Sequence, residues 1–237
     1  MPESNHTVRG FDADLHALSD KIAQMGGMAE SIVFDAVSAL VRADESFGDE
    51  VRDRDMVLDR LQREIDDKAV AIIARRQPMA QDLREVVGAM RIAADLERVG
   101  DLGKSIAKRV AVITRDTQPR SFYRGLEALA ELALGQLKDV LDAYATRSVD
   151  RIPAMRDRDE EIDSMYTSLF RELLTYMMED PRNISACTHL LFCAKNIERI
   201  GDHATNVAET VYFIATGRQL EADRPKDDDS HTVAFKS

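Results

Sequence analysis

Cysteine, aromatic residues and long apolar segments are all scarce in this sequence. Of 237 residues, two are cysteine, none is tryptophan and 5 % are aromatic. Cys187 and Cys193 lie six residues apart, which is not the Cys-x-x-Cys spacing of a redox or metal pair, so we expect buried free thiols. No charged start followed by an apolar segment precedes them, and this favours a cytoplasmic protein.

No apolar segment approaches the length that a transmembrane helix needs. The best are Ala69–Ala74 and Leu190–Ala194, whereas a bilayer span takes about 18 residues. Any link to a membrane is therefore expected to be peripheral, through partners.

Clustered cations are also missing, because lysine and arginine are interleaved with carboxylates at a formal net charge of −11. We therefore expect no binding to nucleic acid, which requires a basic surface.

Proline is rare, and it divides the chain into helical segments. Apart from Pro2 it occurs at positions 78, 119, 153, 181 and 225. Between these positions alanine, leucine, arginine and glutamate recur without the alternation typical of strands. The pattern predicts six long helices near residues 11–45, 48–76, 79–115, 121–146, 150–178 and 181–217. Pro78 and Pro181 suit a first helical turn, and Gly217 suits a C-cap.

The sequence repeats itself after about a hundred residues. LERVGD at Leu96–Asp101 returns as IERIGD at Ile197–Asp202, and DRDMVLD at Asp53–Asp59 returns as DRDEEID at Asp157–Asp163. A duplicated helical module is the simplest explanation. Because short connections make consecutive helices antiparallel neighbours, we expect an all-α fold of two tandem three-helix bundles.

The repeat also predicts the domain organisation. Residues 11–117 are expected to form the first three-helix bundle and residues 118–217 the second. Residues 1–10 and 218–237 are polar and aperiodic. We therefore predict a disordered N-terminal tail and a disordered acidic C-terminal tail.

Four pairs of acidic residues share a spacing of one helical turn. They are Asp55 with Asp59, Glu97 with Asp101, Asp159 with Asp163, and Glu198 with Asp202. Like charges at this spacing repel by about 0.2–0.5 kcal/mol, so their repetition suggests that something positive gathers beside them. Each pair falls beside the apolar stripe of its helix rather than in it. Two such helix edges can bring four carboxylates into an all-oxygen site open to solvent.

Two interpretations of these pairs stay open from the residues alone. Carboxylate oxygens suit magnesium, manganese, calcium or iron, and His203 and Asn206 could contribute, whereas the first half has Leu102 and Ser105 at these positions. Alternatively, the carboxylates form surface ion pairs with the arginine that precedes one member of each pair by three residues. These arginines are Arg52, Arg98, Arg156 and Arg199.

Glycines occur within the predicted helices, two of them beside the acidic pairs. Gly100 and Gly201 each cost a helix about 1 kcal/mol relative to alanine. We therefore expect a neighbouring helix or a ligand to approach closely there, close packing being the commoner reason. Gly26 and Gly27 predict a kink or a tight contact in the first helix.

Together these segments resemble the PhoU family. The resemblance rests on FDADLHALSDKIAQMGGMAE, the two DRD segments, RRQPMAQDLR, LERVGD and NIERIGDHATNVAE, and covers about residues 8–217. It implies that the two three-helix bundles are related by pseudo-twofold symmetry. It also implies E/DxxxD motifs that hold divalent or trivalent metal ions on the surface of the bundles, with magnesium, manganese, iron and calcium all open. The expected ligands are Asp55, Asp59, Glu97, Asp101, Asp159, Asp163, Glu198 and Asp202, with Asn206 beside them.

The resemblance also implies a regulator. PhoU-like proteins couple the phosphate ABC transporter to a sensor histidine kinase, and they hold the phosphate regulon off and restrain uptake when phosphate is plentiful. The sequence has no P-loop, nucleophile elbow or convincing Ser/His/Asp set. We therefore expect a cytoplasmic, non-enzymatic, metal-binding adaptor with the transporter ATPase and the kinase as partners, and a homodimer.

Two other classes compete with this interpretation. A di-iron oxidase would need a Glu-x-x-His motif on each of two facing helices, and no such pair occurs. A helical scaffold without metal-dependent function is the stronger alternative, because its charges would serve only to keep it soluble. It predicts no effect of cations on stability and no binding to a transporter or a kinase.

Overall fold

Six helices follow one another in the computed structural model of this chain. They are α1 (Glu3–Arg42), α2 (Gly48–Arg76), α3 (Gln81–Ile113), α4 (Arg120–Thr146), α5 (Ala154–Glu179) and α6 (Ile184–Thr216), with a 3₁₀ turn at Pro181–Asn183 before α6. The structure describes residues 3–42, 44, 48–113, 120–150, 152 and 154–220. In these ranges every regular element is helical, which confirms the predicted all-α fold.

Each half of the chain packs as a three-helix bundle. α1, α2 and α3 contact one another, and so do α4, α5 and α6. Contacts of α3 with α6, and of α1 with α4, join the two bundles. As a result the buried apolar side chains form one continuous core. The predicted pair of bundles is confirmed, and the two helices that carry LERVGD and IERIGD lie against each other at the junction.

The first residues of two helices differ from the prediction. α3 begins at Gln81 rather than at residue 79, because Ala80 has a φ of 50°, in the left-handed region that a helix cannot continue through. Pro78 therefore precedes the helix instead of lying in its first turn. α5 begins at Ala154 rather than near residue 150. The other starts and ends agree to within a few residues, apart from the start of α1.

The ends of α6 follow the sequence signals closely. Pro181 opens the 3₁₀ turn, and the carboxylate of Asp180 accepts a hydrogen bond from the backbone N–H of Arg182. At the other end Gly217 has a φ of 72°, and its N–H donates to the carbonyl oxygen of Phe213 at 2.9 Å. The predicted glycine C-cap is confirmed.

The start of α1 differs most from the prediction. Disorder of residues 1–10 stays a prediction, whereas the helix begins at Glu3 rather than near residue 11 and runs through residues 3–10. Pro2 precedes this segment and no further proline occurs in it, so the helix that is anchored in the core further along extends back through it. Residues 221–237 of the predicted C-terminal tail and the domain boundary at 117/118 lie outside the described residues.

Glycines beside the acidic motifs allow α2 and α5 to approach their neighbours. A Cβ atom at Gly201 would lie 3.0 Å from Cδ1 of Ile162 on α5, and one at Gly100 would overlap with Cδ2 of Leu58 on α2. Leu58 and Ile162 are equivalent positions of the two DRD repeats. The same helix contact therefore occurs once in each bundle, and it supports close packing as the reason for both glycines.

The adjacent glycines Gly26 and Gly27 of α1 differ from each other. A Cβ atom at Gly26 would lie 2.6 Å from Cδ1 of Leu141 on α4, whereas nothing lies within 4 Å of one at Gly27. Gly26 therefore provides the expected tight contact, and it does so between the two bundles. Gly27 has no such role.

Candidate functional site

The first acidic cluster consists of Asp55 and Asp59 on α2 and Glu97 and Asp101 on α3. The ammonium group of Lys104 links the two helices, because its Nζ donates to Oδ2 of Asp55 at 2.5 Å and to Oδ1 of Asp101 at 2.7 Å. Asp101 and Asp59 both act electrostatically on the carboxyl group of Glu97. The structure therefore brings together the four acidic residues that the repeat pairs in the first bundle.

Burial and the charge of Lys104 together set the electrostatics of the first acidic cluster. Burial and the negative charge of Asp101 raise the pKa of Glu97. Burial also raises the pKa of Asp101, but the hydrogen bond and charge of Lys104 outweigh it and hold that pKa below its ordinary range. In the same way burial lowers the pKa of Lys104, and its bonds to Asp101 and Asp55 outweigh burial and raise it. Lys104 therefore stays charged, as a cation within the cluster.

An arginine also lies at this cluster, as the ion-pair interpretation expects. Nη1 of Arg98 is 3.7 Å from Oδ2 of Asp101, and its Nε is 3.5 Å from Oε2 of Glu97. The side chain of Arg98 is 62 % exposed, and exposed pairs of this kind contribute little to stability. The ion-pair interpretation is thus correct for Arg98, whereas the side chains of Arg52 and Arg156 lie outside the described residues.

The second acidic cluster consists of Asp159 and Asp163 on α5 and Glu198 and Asp202 on α6. Asp202 and Asp163 act electrostatically on the carboxyl group of Glu198. Asp159 is tied to α6 differently, because Oγ1 of Thr205 donates to its Oδ1 at 2.9 Å. The repeat's second set of four carboxylates therefore also gathers between neighbouring helices.

Glu198 is the most unusual carboxylate of the second acidic cluster. Its side chain is 7 % exposed, and Nζ of Lys195 donates to its Oε1 at 2.7 Å. Its other oxygen, Oε2, is buried without a hydrogen-bond partner. Burial raises the pKa of Glu198 to about 7, with Asp202 and Asp163 acting in the same direction and Lys195 opposing them. A buried carboxylate oxygen without a partner is costly, and a cation or a proton would remove that cost.

The expectation that all the carboxylates lie at solvent-open edges is wrong for two of them. Asp55 is 5 % exposed and Glu198 is 6 % exposed. The angular position of a residue on its own helix does not show how far a neighbouring helix buries its side chain. One carboxylate in each cluster therefore lies under the adjacent helix and side chains.

The two clusters differ in how well they fit a metal ion. Within the described ranges, no three histidine, cysteine, aspartate or glutamate side chains form a ready-made metal site, so a metal would require side-chain rotation. The second acidic cluster offers oxygen ligands and the partnerless Oε2 of Glu198, which suit a hard cation. In the first cluster the ammonium group of Lys104 already lies between Asp55 and Asp101, so its donors do not fit.

Asn206 lies at the junction of the two bundles, beside His203. Nδ1 of His203 is 2.9 Å from Oδ1 of Asp95 on α3, and Nδ2 of Asn206 donates to the same oxygen at 3.4 Å. These contacts connect α6 with α3. The structure thus gives the Asn206 amide a partner in the first bundle, and its role as a metal ligand stays a prediction.

Sequence reasoning missed several residues that shape the two clusters. Lys104 could have been found, because pairing LERVGDLGKS with IERIGDHATN puts a lysine where the second half has Thr205. Gln136 is fully buried, and its Nε2 donates to Oγ1 of Thr205 at 2.8 Å while its Oε1 has no partner. Asp95, which joins the bundles, carries no signal of its own in the sequence.

Sequence comparisons support the resemblance noted above. Residues 22–110 and 126–211 each match the PhoU domain. A phosphate-specific transport system accessory protein PhoU homolog of Rhizobium meliloti (strain 1021) is 60 % identical over 228 residues, which are 96 % of each chain. The homolog of the same name from Caulobacter vibrioides (strain NA1000 / CB15N) is 49 % identical over 223 residues, 94 % of this chain and 97 % of that one.

Solved structures agree with the sequence comparisons. The crystal structure of PhoU from Pseudomonas aeruginosa matches with a TM-score of 0.84 at 36 % identity, covering 88 % of this chain and 100 % of that one. The crystal structure of the phosphate transport system regulatory protein PhoU from Streptococcus pneumoniae matches with a TM-score of 0.81 at 26 % identity, covering 89 % and 99 %. With a duplicated domain, two acidic clusters and relatives that match nearly end to end, the chain belongs to the PhoU family.

Proposed function

We propose that this protein is an accessory protein of the phosphate-specific transport system and a negative regulator of the phosphate regulon and of phosphate uptake. The observation that carries the proposal is the 60 % identity, over 96 % of both chains, with a relative that bears the name of such an accessory protein. Because the overlap covers nearly all of both chains, it includes both repeats.

The protein acts by binding other proteins rather than by catalysis. In this proposal it is a cytoplasmic adaptor between the ATPase of the phosphate ABC transporter and the sensor histidine kinase, and it works as a homodimer. Relatives carry the names of accessory and regulatory proteins, which describe no reaction. In the described part of the chain no helix combines the length and the apolarity that a bilayer span requires, and contact with the membrane is made through the transporter.

The proposal includes a metal ion bound at the second acidic cluster. Asp159, Asp163, Glu198 and Asp202 would hold it, and the buried Oε2 of Glu198, which has no hydrogen-bond partner, is the support for this assignment. A divalent or trivalent cation would neutralise the cluster and fix α5 against α6. Magnesium, manganese, iron and calcium all prefer such oxygen ligands.

Binding of purified partners tests this function and separates it from a helical scaffold without metal-dependent function. The full chain should retain the transporter ATPase and the kinase sensor domain on an affinity column, and removal of metal with a chelator should weaken retention. Glu198→Ala with Asp202→Ala should weaken it in the same way without loss of helicity. The control is Glu172→Ala with Glu179→Ala, which removes the same charge from an exposed part of α5. Retention of neither partner would leave only the scaffold interpretation.

A further inference from the structure

Lys104 and Thr205 occupy equivalent positions of the two repeats but bring different chemistry to them. Pairing LERVGD with IERIGD aligns Lys104 with Thr205, and pairing the DRD segments aligns Asp55 with Asp159. In the structure each of these residues reaches the equivalent aspartate across the helix pair. Lys104 Nζ donates to Asp55 at 2.5 Å, and Thr205 Oγ1 donates to Asp159 at 2.9 Å. The same bridge is therefore made by a cation in the first bundle and by a neutral hydroxyl group in the second.

The side chains around these two bridges also differ in polarity between the bundles. Gln136 donates to Thr205 at 2.8 Å, so the second bundle continues the bridge with another neutral polar group. At the corresponding place beside Gly100 the first bundle has the apolar side chain of Ile32. The first acidic cluster thus receives its positive charge from inside the chain, at the point where α2 and α3 meet.

The lysine of the second acidic cluster is placed differently. Lys195 lies one turn before Glu198 on the same helix, bonds to Oε1 of that residue, and lies 5.1 Å from the centre of the Tyr166 ring. This carboxylate belongs to the same helix as Lys195, and Oε2 of Glu198 keeps no hydrogen-bond partner. Lys104, in contrast, lies between carboxylates of two helices. In the first cluster, a lysine therefore takes the place that a bridging cation would need.

We propose that Lys104 is a tethered cation that excludes metal from the first acidic cluster, so that the chain binds metal at the second acidic cluster alone. A hard cation entering the first cluster would have to displace the ammonium group from Asp55 and Asp101, or lie within a few ångströms of a like charge. This inference rests on the proposed metal binding at the second cluster. It makes the two repeats functionally unequal although their folds match.

Counting bound Mn²⁺ on the full chain tests the proposal. After metal removal, wild-type protein titrated with Mn²⁺ should bind one equivalent, measured as the loss of the free-ion signal in electron paramagnetic resonance. Lys104→Thr, which copies the second repeat, should bind two. Lys104→Gln provides a second neutral variant of similar length, and circular dichroism checks the fold of both. The matched control is Lys108→Thr, an exposed lysine one turn further along α3, which should still bind one equivalent.

Carboxamide variants identify which cluster binds. Glu198→Gln with Asp202→Asn should abolish the single equivalent of the wild type, whereas Glu97→Gln with Asp101→Asn should leave it unchanged. Two equivalents in the wild type, or one equivalent in both folded Lys104 variants, would overturn the exclusion by Lys104. A wild type that binds none while Lys104→Thr binds one would support the exclusion by Lys104 and instead refute metal binding at the second cluster.

Discussion

Glu198 gives the protein a distinctive dependence of stability on pH. Its side chain is 7 % exposed and one of its oxygens has no hydrogen-bond partner, and burial raises its pKa from 4.5 to about 7 in the folded state. In the unfolded chain the same carboxyl group loses its proton near its ordinary pKa. Between these two values the folded state binds more protons than the unfolded state, so the free energy of unfolding falls as pH rises.

The size of this effect follows from the two pKa values. Each pH unit that separates them is worth about 1.4 kcal/mol, so a carboxyl group that titrates near 7 instead of 4.5 gives an upper bound of about 3–4 kcal/mol. The contribution is fully present below pH 4.5 and is lost by the time the pH has passed 7. Ionisation of Glu198 also changes its interactions with Lys195, Asp202 and Asp163. We therefore expect a loss of stability of about 2 kcal/mol.

Urea unfolding of metal-free protein between pH 4.5 and 7.5 measures the effect. The comparison is with Glu198→Gln, which keeps the shape of the side chain and cannot ionise, so contributions of all other groups largely cancel. Wild-type stability should fall relative to the variant by about 2 kcal/mol over this interval. Glu172→Gln, at an exposed position of α5, should behave as the wild type. Parallel curves for the wild type and Glu198→Gln would refute the assignment of a raised pKa to this residue.

Four further substitutions test the packing. Gly103→Ala should destabilise the protein by about 1–3 kcal/mol, because the added Cβ atom would lie 2.8 Å from Ile32 Cγ2 and 3.3 Å from the Val33 backbone. Gly27→Ala, whose Cβ atom meets nothing within 4 Å, should instead stabilise it by about 0.5–1 kcal/mol. Equal effects of the two substitutions in thermal unfolding would contradict this reasoning. Ala80→Gly should stabilise by about 0.5 kcal/mol, because it relieves the φ of 50° at the start of α3; a lower melting temperature would argue against that strain. Asp95→Ala should cost about 1–3 kcal/mol, since His203 and Asn206 lose their shared acceptor, and unchanged hydrogen exchange in α3 and α6 would show that this contact does not hold the bundles together.

The fold could be predicted from sequence because its signals are local and repeated. Apolar residues such as Ile92, Leu96 and Val99 recur at helical spacing, and all three are fully buried. Gly217 marks the end of α6 by its own backbone chemistry. The duplication then fixed the architecture, because one set of three helices implied the other.

The character of each acidic cluster could not be predicted in the same way. Spacing showed that Asp55 and Glu198 lie beside the core, but their burial depends on the neighbouring helix. The bridge from Lys104 to Asp55 joins residues 49 positions apart, and no local pattern encodes it. The sequence does contain the mismatch of Lys104 with Thr205. The packing of the helices shows which aspartate each of these two residues reaches.

Phosphate uptake in a strain that lacks this gene tests the central claim most directly. During growth in phosphate-rich medium, uptake of radiolabelled phosphate and expression of a phosphate-starvation reporter should both rise relative to the parent strain. A plasmid copy of the wild-type gene should restore repression, and a copy with Glu198→Ala and Asp202→Ala should not, although the protein accumulates normally. Unchanged uptake and unchanged reporter expression in the deletion strain would contradict a role in restraining phosphate transport.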